Sequence, residues 1–464
     1  MIHFDPDGLA IEDLLLIARQ DAPAEFSGAA RQRIDEGHQL LLRLVAEGTP
    51  IYGVTTGLGA AVDTPVSPVQ ANIPLGRAVG VGRLANRQEL RAITAARLAG
   101  LAQGRSGISP RAAQALLDLL NSGLEPEVPL LGSLGESDLA PLAHLSLALN
   151  VPLTGKDGLA LVSANAASIG LGALLVAEAE QALQAVLAGL ALSCEGYRAN
   201  LSPFQPWASR LRPAPGQSGQ SAALLELLAG GELADKPRRL QDPLSFRCAT
   251  VVQGAAQQAV QALRELIVLE LASGADNPAL ISEDALALAT ANFDSTHLAL
   301  AAEGLGLALS RVAVCSAERI AKLLSPASSE LPRFLIKQPG HVGMAALQRT
   351  GSALVAEIGH LANPIPAVSV PVADRVEDYA GQALAVVEKT RQLVQRVVWL
   401  GSIELIVAAQ AVDLRGTVQL GEGTRRIHLA VRRQVAHLDQ DRSGSVDVLA
   451  LATFIENDGL NPIL

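Results

Sequence analysis

The sequence predicts a mainly α fold, a bundle of long helices with a smaller N-terminal domain. Three observations lead there. Hydrophobic residues make up 49% of the 464 residues but aromatics only 3%, so the core is built largely from Ala and Leu, small side chains that let helix backbones approach closely. Helical periodicity then persists, after residue 158, over stretches far longer than the three or four turns usual in globular domains. Breakers fall between these stretches, most clearly Ser202–Gln220, rich in Pro, Gly and Ser, and His360–Val372, which holds three prolines. The expected division is 1–157, the N-terminal domain, and 158–464, the bundle and C-terminal helices.

Taken in order, residues 8–48 read as two amphipathic helices. Ile51 to Asp63 is a loop with three glycines and two threonines, and Tyr52 is its only large polar side chain. Helical periodicity returns from Val69 to Leu120 with a break at Gly104-Arg105-Ser106-Gly107, and Leu124–Leu131 is a Pro-punctuated connector. Gly132 to His144 reads as a tight loop feeding a buried helix. Ser137 or Asp138 is placed to cap that helix and Pro141 suits its first turn. Long helices follow over 158–198, 249–273, 285–326, 341–362, 377–411 and 423–437. Several are apolar nearly all round, and such helices are expected to be buried against other subunits.

Composition excludes several classes of function. Net charge is −10 and no Lys/Arg cluster is interleaved with aromatics, so a nucleic-acid partner is not expected. Cys194, Cys248 and Cys315 are scattered and odd in number, which fits a reducing cytosol. Met1–Asp7 shows no basic region running into an apolar one, so no signal peptide is read and a cytoplasmic location is expected. Gly158 to Ala177 carries no charge and is long enough to span a bilayer, but it contains Ser163, Asn165 and Ser168 and runs into Glu178 and Glu180, so a buried bundle helix is expected instead. The eight histidines are dispersed without H-x-H or H-E-x-x-H, and no metal is expected. Asp439 to Asp447 starts like an EF-hand loop, but Ala450 stands where a bidentate Glu is needed. Gly57-x-Gly59 and Gly304-x-Gly306 complete no dinucleotide fingerprint, and there is no G-x-S-x-G elbow.

Three polar clusters remain. Gln241 to Cys248 is a polar turn that delivers Arg247 into a helix, an arrangement suited to a carboxylate clamp and equally to a structural ion pair. Ala291 to His297 is a polar knot opening a long helix and taken alone reads as a cap. Asp374 to Tyr379 puts Glu377 and Asp378 at an expected helix start, where the dipole favours acids.

In combination these segments resemble the aromatic amino acid lyase family, which contains histidine and phenylalanine ammonia-lyases. Tyr52-Gly53-Val54-Thr55-Thr56-Gly57-Leu58-Gly59 is similar to the family's Tyr-Gly-(Val/Ile)-(Asn/Thr)-Thr-Gly-Phe-Gly loop. Leu120 through His144 is similar to the segment around its cofactor, and Lys156 to Leu161 to its Lys-Glu-Gly-Leu-Ala-Leu. Gln241–Cys248, Asp276-Asn277-Pro278, Asn292-Phe293, Glu377-Asp378 and Gln410–Arg415 follow in the family's order. The resemblance implies a helical bundle of the fumarase/aspartase-like ammonia-lyase type, a homotetramer with active sites shared between subunits, and a 4-methylideneimidazole-5-one cofactor formed from an internal Ala-Ser-Gly. It also implies that the loop tyrosine removes the β-proton.

The departure lies at the cofactor segment. Where the family reads Gly-Ala-Ser-Gly-Asp-Leu, this chain reads Gly135-Glu136-Ser137-Asp138-Leu139. Ring closure needs a glycine nitrogen after the serine, and here that residue is Asp138, whose branched side chain hinders the attack. Leu244 replaces a family Tyr, Leu75-Gly76-Arg77 replaces Arg-Ser-His, Ser163-Ala164-Asn165 replaces Asn-Gly-Thr, and Arg349 replaces an apolar or aromatic residue. Tyr52, Gln241, Arg247, Phe293 and Glu377 are retained.

The expectation is therefore a cofactor-independent lyase for a small amino-acid-like or betaine carboxylate. By the resemblance, Tyr52 is the general base with Arg77 as a nearby cation, and Glu377 orients or exchanges a proton. Arg247 and Gln241 hold the substrate carboxylate, and Phe293, Asn165 and Arg349 contact substrate. Glu136, Ser137 and Asp138 form a degenerate cofactor segment. A family member that expels trimethylamine from a thiol-histidine betaine is the precedent. A conventional ammonia-lyase and an inactive, carboxylate-binding family member are the alternatives.

Overall fold

The computed structural model describes residues 1–66, 73–366, 370–416 and 418–464. The expected helix start at Val69 and the centre of the His360–Val372 breaker lie outside the described residues. The chain is mainly helical and divides into two compact units. One comprises Met1–Leu175, Leu263–Ala302 and Ile365–Glu388; the other comprises Val176–Ala262, Glu303–Pro364 and Lys389–Leu464. The sequence reading placed a single cut after residue 157, whereas each compact unit is assembled from three stretches.

In the first unit, helices Ile11–Gln20 and Gly28–Ala46 match the two amphipathic helices expected over 8–48. Ser27 starts the second by accepting from the Ala30 amide at 3.2 Å. Helix Arg87–Ala102 opens with a capping box between Asn86 and Glu89. Small residues permit close helix contact: a Cβ on Gly170 would lie 2.6 Å from the Ala92 backbone. Three short strand pairs were not anticipated, because three or four residues show no usable alternation. Ile2–Phe4 pairs in parallel with Ala24–Phe26, and Val81–Leu84 pairs antiparallel with Pro129–Leu131. Ala279–Ile281 pairs antiparallel with Leu286–Leu288.

The long helices are Ala166–Tyr197, Ala249–Leu271, Thr296–Leu323, Ala345–Leu361, Ala383–Leu414 and Glu422–Gln434. Three corrections follow. Residues 285–295 form a strand and a loop, so that helix begins only at Thr296. Residues 377–382 are loop, so Glu377 and Asp378 sit exposed before the helix and gain nothing from its dipole. Helices Gln217–Leu228 and Gly444–Glu456 went unpredicted; the former lies partly within an expected breaker.

Among the described residues, three segments are long and apolar enough to cross a membrane, Asp157–Tyr197, Thr296–Leu323 and Ala383–Leu414, with apolar windows 100%, 50% and 83% buried. The most apolar window is covered by the chain itself, as expected for a buried bundle helix.

Candidate active site

The centre of the site is the Gly132–Asp138 loop in the first unit. Gly135 has φ +89°, and a Cβ there would lie 2.6 Å from the Gln382 nitrogen and 2.7 Å from that of Ala383. Only glycine allows this approach. The Gln382 amide donates to Leu134 O at 2.8 Å, and the Ser295 hydroxyl donates to Gly135 O at 2.5 Å. The loop is thus clamped between residues 291–296 and the start of the Ala383–Leu414 helix.

Ser137 lies in the left-handed region at φ +67°, a conformation that a non-glycine residue adopts only when its surroundings hold it there. Its amide donates to Asn165 Oδ1 at 2.9 Å, and Asn165 Nδ2 donates to Phe293 O at 2.6 Å. Both ends of the buried Asn165 amide are therefore engaged by backbone. The residue assigned to substrate contact joins the Ser137 and Phe293 segments.

Asp138 precedes helix Leu139–Ser146, but its side chain makes no capping bond there, contrary to expectation. Its fully buried carboxylate accepts from Ser133 Oγ at 2.7 Å, Ser168 N at 2.7 Å and Ser168 Oγ at 3.0 Å. It satisfies the first turn of the Ala166–Tyr197 helix instead. Burial pushes this carboxyl up, and the serine donors oppose the shift.

Glu136 points its half-buried carboxylate at the Gly381 amide, which donates to Oε1 at 2.9 Å. Its backbone forms an isolated antiparallel bridge with Asp294, and the two carboxyl groups are in contact. Burial is the largest cause pushing Glu136 up to about 7, the Gly381 amide opposes, and the charge and hydrogen bond of Asp294 add to the rise. The Glu136 carboxyl thus keeps its proton to higher pH than an ordinary glutamate. Asp294 also accepts from Thr296 N at 3.0 Å and Thr296 Oγ1 at 3.1 Å, and Thr296 Oγ1 hydrogen-bonds to the Tyr379 hydroxyl. A polar chain Glu136–Asp294–Thr296–Tyr379 results. Sequence reasoning noticed both outer clusters but read one as a cap and the other as a helix start. Nothing in either marks Asp294 as a partner of Glu136.

Tyr52 and Glu377 meet at Gly59. The Gly59 amide donates to the Tyr52 hydroxyl at 2.8 Å, and a Cβ on Gly59 would lie 3.7 Å from Glu377 Oε1. Arg77 ends the short Ile73–Arg77 helix, half-buried, and its side chain makes no hydrogen bond or ion pair among the described residues. The hydrogen-bond partner found for the Tyr52 hydroxyl among the described residues is thus a backbone amide.

Arg247, in the second unit, donates from Nη1 to Gln241 Oε1 at 2.6 Å, while its buried Nε has no partner among the described residues. That leaves part of the guanidinium free for an acceptor. Arg349 is exposed on helix Ala345–Leu361 and makes no side-chain hydrogen bond among the described residues. No group of three His, Cys, Asp or Glu among the described residues could hold a metal ion. Asp441, in the EF-hand-like stretch, accepts from the Val342 and Gly343 amides, both at 2.8 Å.

The profile of the aromatic amino acid lyase family matches residues 9–150 and 150–433. The chain belongs to this family, a family of carbon–nitrogen lyases. It is 32% identical to histidine ammonia-lyase of Symbiobacterium thermophilum over 97% of this chain and 96% of that one. It is 33% identical to histidine ammonia-lyase of Stigmatella aurantiaca over 99% and 97%. Among solved structures it resembles the ergothioneine-degrading enzyme ergothionase from Treponema denticola, in complex with desmethyl-ergothioneine sulfonic acid, with TM-score 0.93, 29% identity and 99% of each chain covered.

Proposed function

We propose that the chain is a carbon–nitrogen lyase that eliminates an amine from a small amino-acid-like or betaine carboxylate by acid–base chemistry, without the methylidene-imidazolone group. The observation that carries this reading is the condition of Glu136-Ser137-Asp138. The nitrogen that ring closure would use belongs to Asp138, and it donates to Ala164 O at 2.8 Å. The Asp138 side chain is meanwhile fixed by Ser133 and Ser168. These residues do not suit the group.

Tyr52 removes the β-proton of the substrate, aided by Arg77, and Glu377 beside it exchanges that proton. The electrons form the Cα=Cβ bond, and the amine departs with the C–N pair. A trialkylammonium group leaves as a neutral tertiary amine and needs neither an electrophile nor a proton. The neighbouring carboxyl groups of Glu136 and Asp294 attract such a cation without requiring hydrogen bonds from it. Arg247 and Gln241 hold the carboxylate, with Phe293 and Arg349 also contacting substrate, in a site shared between subunits of a cytoplasmic homotetramer. The likeness to ergothionase supports a betaine.

The test is a turnover screen of α-amino acids against their trimethyl betaines. The expected result is an α,β-unsaturated acid from a betaine, and Tyr52→Phe should lower that turnover by about 100-fold or more. Unchanged turnover would remove Tyr52 from the mechanism. The histidine ammonia-lyase relatives favour a second reading, a conventional ammonia-lyase; ammonia release from an amino acid in the same screen would support it.

A further inference from the structure

The short segment that delivers Arg247 is built against the end of one long helix in the second unit. Helix Ala166–Tyr197 stops at Tyr197, where Arg198 turns into the left-handed region at φ +62°. The residues just beyond then receive the chain that leads to the clamp. The Arg238 amide donates to Arg198 O at 3.0 Å. Asn200 donates from its amide to Asp242 Oδ2 at 2.5 Å, and from Nδ2 to Leu240 O at 2.7 Å and Arg239 O at 3.2 Å. Residues 238–242 are thus fastened to residues 198–200 through both backbone and side chain.

Tyr197 itself is fully buried. The Phe246 ring stacks on it with centroids 4.4 Å apart and planes inclined by 22°. The Arg238 guanidinium carbon lies over the same ring, 4.3 Å from its centroid. Two groups at these distances cannot share one face, so the Tyr197 ring is held between them. The Arg238 side chain is 5% exposed and pairs with Glu330 at 3.5 Å, yet none of its three guanidinium nitrogens has a hydrogen-bond partner among the described residues. The aromatic face beneath it is what keeps this guanidinium in place. The Tyr197 hydroxyl is also buried without a partner among the described residues, so the fold uses the ring and not the hydroxyl.

Phe246 and Arg247 are consecutive in the one-turn helix Leu244–Arg247. The Phe246 and Arg247 amides donate to Pro243 O at 3.0 and 3.2 Å, and the Cys248 amide donates to Leu244 O at 2.9 Å. A helix this short has little stability of its own and keeps its shape through what holds it. Arg319 holds it at Ser245 O, at 2.9 Å, and Tyr197 holds it at Phe246. We propose that Tyr197 is a positioning residue for the carboxylate clamp: its ring, held between Arg238 and Phe246, fixes the turn that presents Arg247 to a substrate carboxylate. The proposal rests on the reading of Arg247 as that clamp.

Amide hydrogen exchange and calorimetric binding are measured on the full chain, with the trimethyl betaine of histidine as the carboxylate probe. Tyr197→Leu should speed exchange of the Phe246, Arg247 and Cys248 amides about tenfold and raise the dissociation constant of the probe about tenfold. Exchange in helix Gly444–Glu456 should stay as it is, which separates loosening of the turn from loss of the fold. Tyr197→Phe, which keeps both ring contacts and removes only the unpartnered hydroxyl, should bring both readouts to within about twofold of the natural protein. Arg238→Met keeps the core filled while removing one face of the sandwich, and should shift both in the direction of Tyr197→Leu by about threefold. Unchanged exchange at residues 246–248 in Tyr197→Leu overturns the proposal. So does faster exchange there with an unchanged dissociation constant. Equal probe binding by the natural protein and Arg247→Gln, or binding by neither, fails the clamp reading instead; the exchange rates still decide whether Tyr197 fixes the turn.

Discussion

Glu136 carries the sharpest residue-scale consequence. In the folded chain its carboxyl ionises near 7 against an ordinary 4.5. Between those values the folded state holds a proton that the unfolded state has lost. Its contribution to stability is complete below 4.5 and disappears as pH rises to 7. Relative to Glu136→Gln, the natural protein should lose on the order of 1 kcal/mol across that window, the half-exposed position being screened by solvent. Urea unfolding at the two ends of the window measures it, and equal pH dependence in both proteins would contradict the raised Glu136 carboxyl. A pH–rate profile should show an inflection near 7 that Glu136→Gln removes. This residue was legible in the sequence only as a missing alanine. Its partner was not, because a carboxyl pair forms across a backbone bridge that no local pattern announces. Asn165 shows the converse: the sequence singled it out, and the structure engages its whole amide in joining two segments. Asn165→Ala, which leaves the Ser137 amide and Phe293 carbonyl unpaired, should destabilise by about 1–3 kcal/mol for each buried group exposed as an orphan, readable by denaturant titration.

At the scale of elements, the loop 132–138 is held by what it touches. Gly135→Ala would put a Cβ against the Gln382 and Ala383 nitrogens in a left-handed conformation, at about 1–3 kcal/mol. Its thermal midpoint should fall, whereas Gly28→Ala, with nothing within 4 Å of the added atom, should leave it nearly unchanged. The long helices were legible because their apolar periodicity is sustained. Their starts were not: the helix expected at 377 begins at Ala383, and that expected at 285 begins at Thr296. The polar residues before both starts were read as caps or dipole partners, while the fold uses them to assemble the site. Asp138 repeats the lesson, standing before one helix and satisfying the first turn of another.

At the scale of the whole molecule, the family was legible from ordered motifs spread along the chain, and the match over 9–150 and 150–433 bears that out. The interior of the second unit was not. Arg319 and Glu404, both fully buried, form a two-point ion pair at 2.6 and 2.9 Å; Ser193 and Ser316 donate to Glu404, and Arg319 donates to Ser245 O at 2.9 Å. Each stands at an unremarkable helical position in the sequence. The pair supports the short segment that carries Arg247, and Arg319→Met, which strands Glu404, should destabilise by about 3–5 kcal/mol in thermal unfolding. As proposed, the segment Glu136-Ser137-Asp138 stays an ordinary peptide in a working lyase. The intact mass of the purified, active protein tests it most directly. The full mass of the unmodified sequence is expected; a mass lower by two waters, the signature of ring closure, would overturn the cofactor-free mechanism.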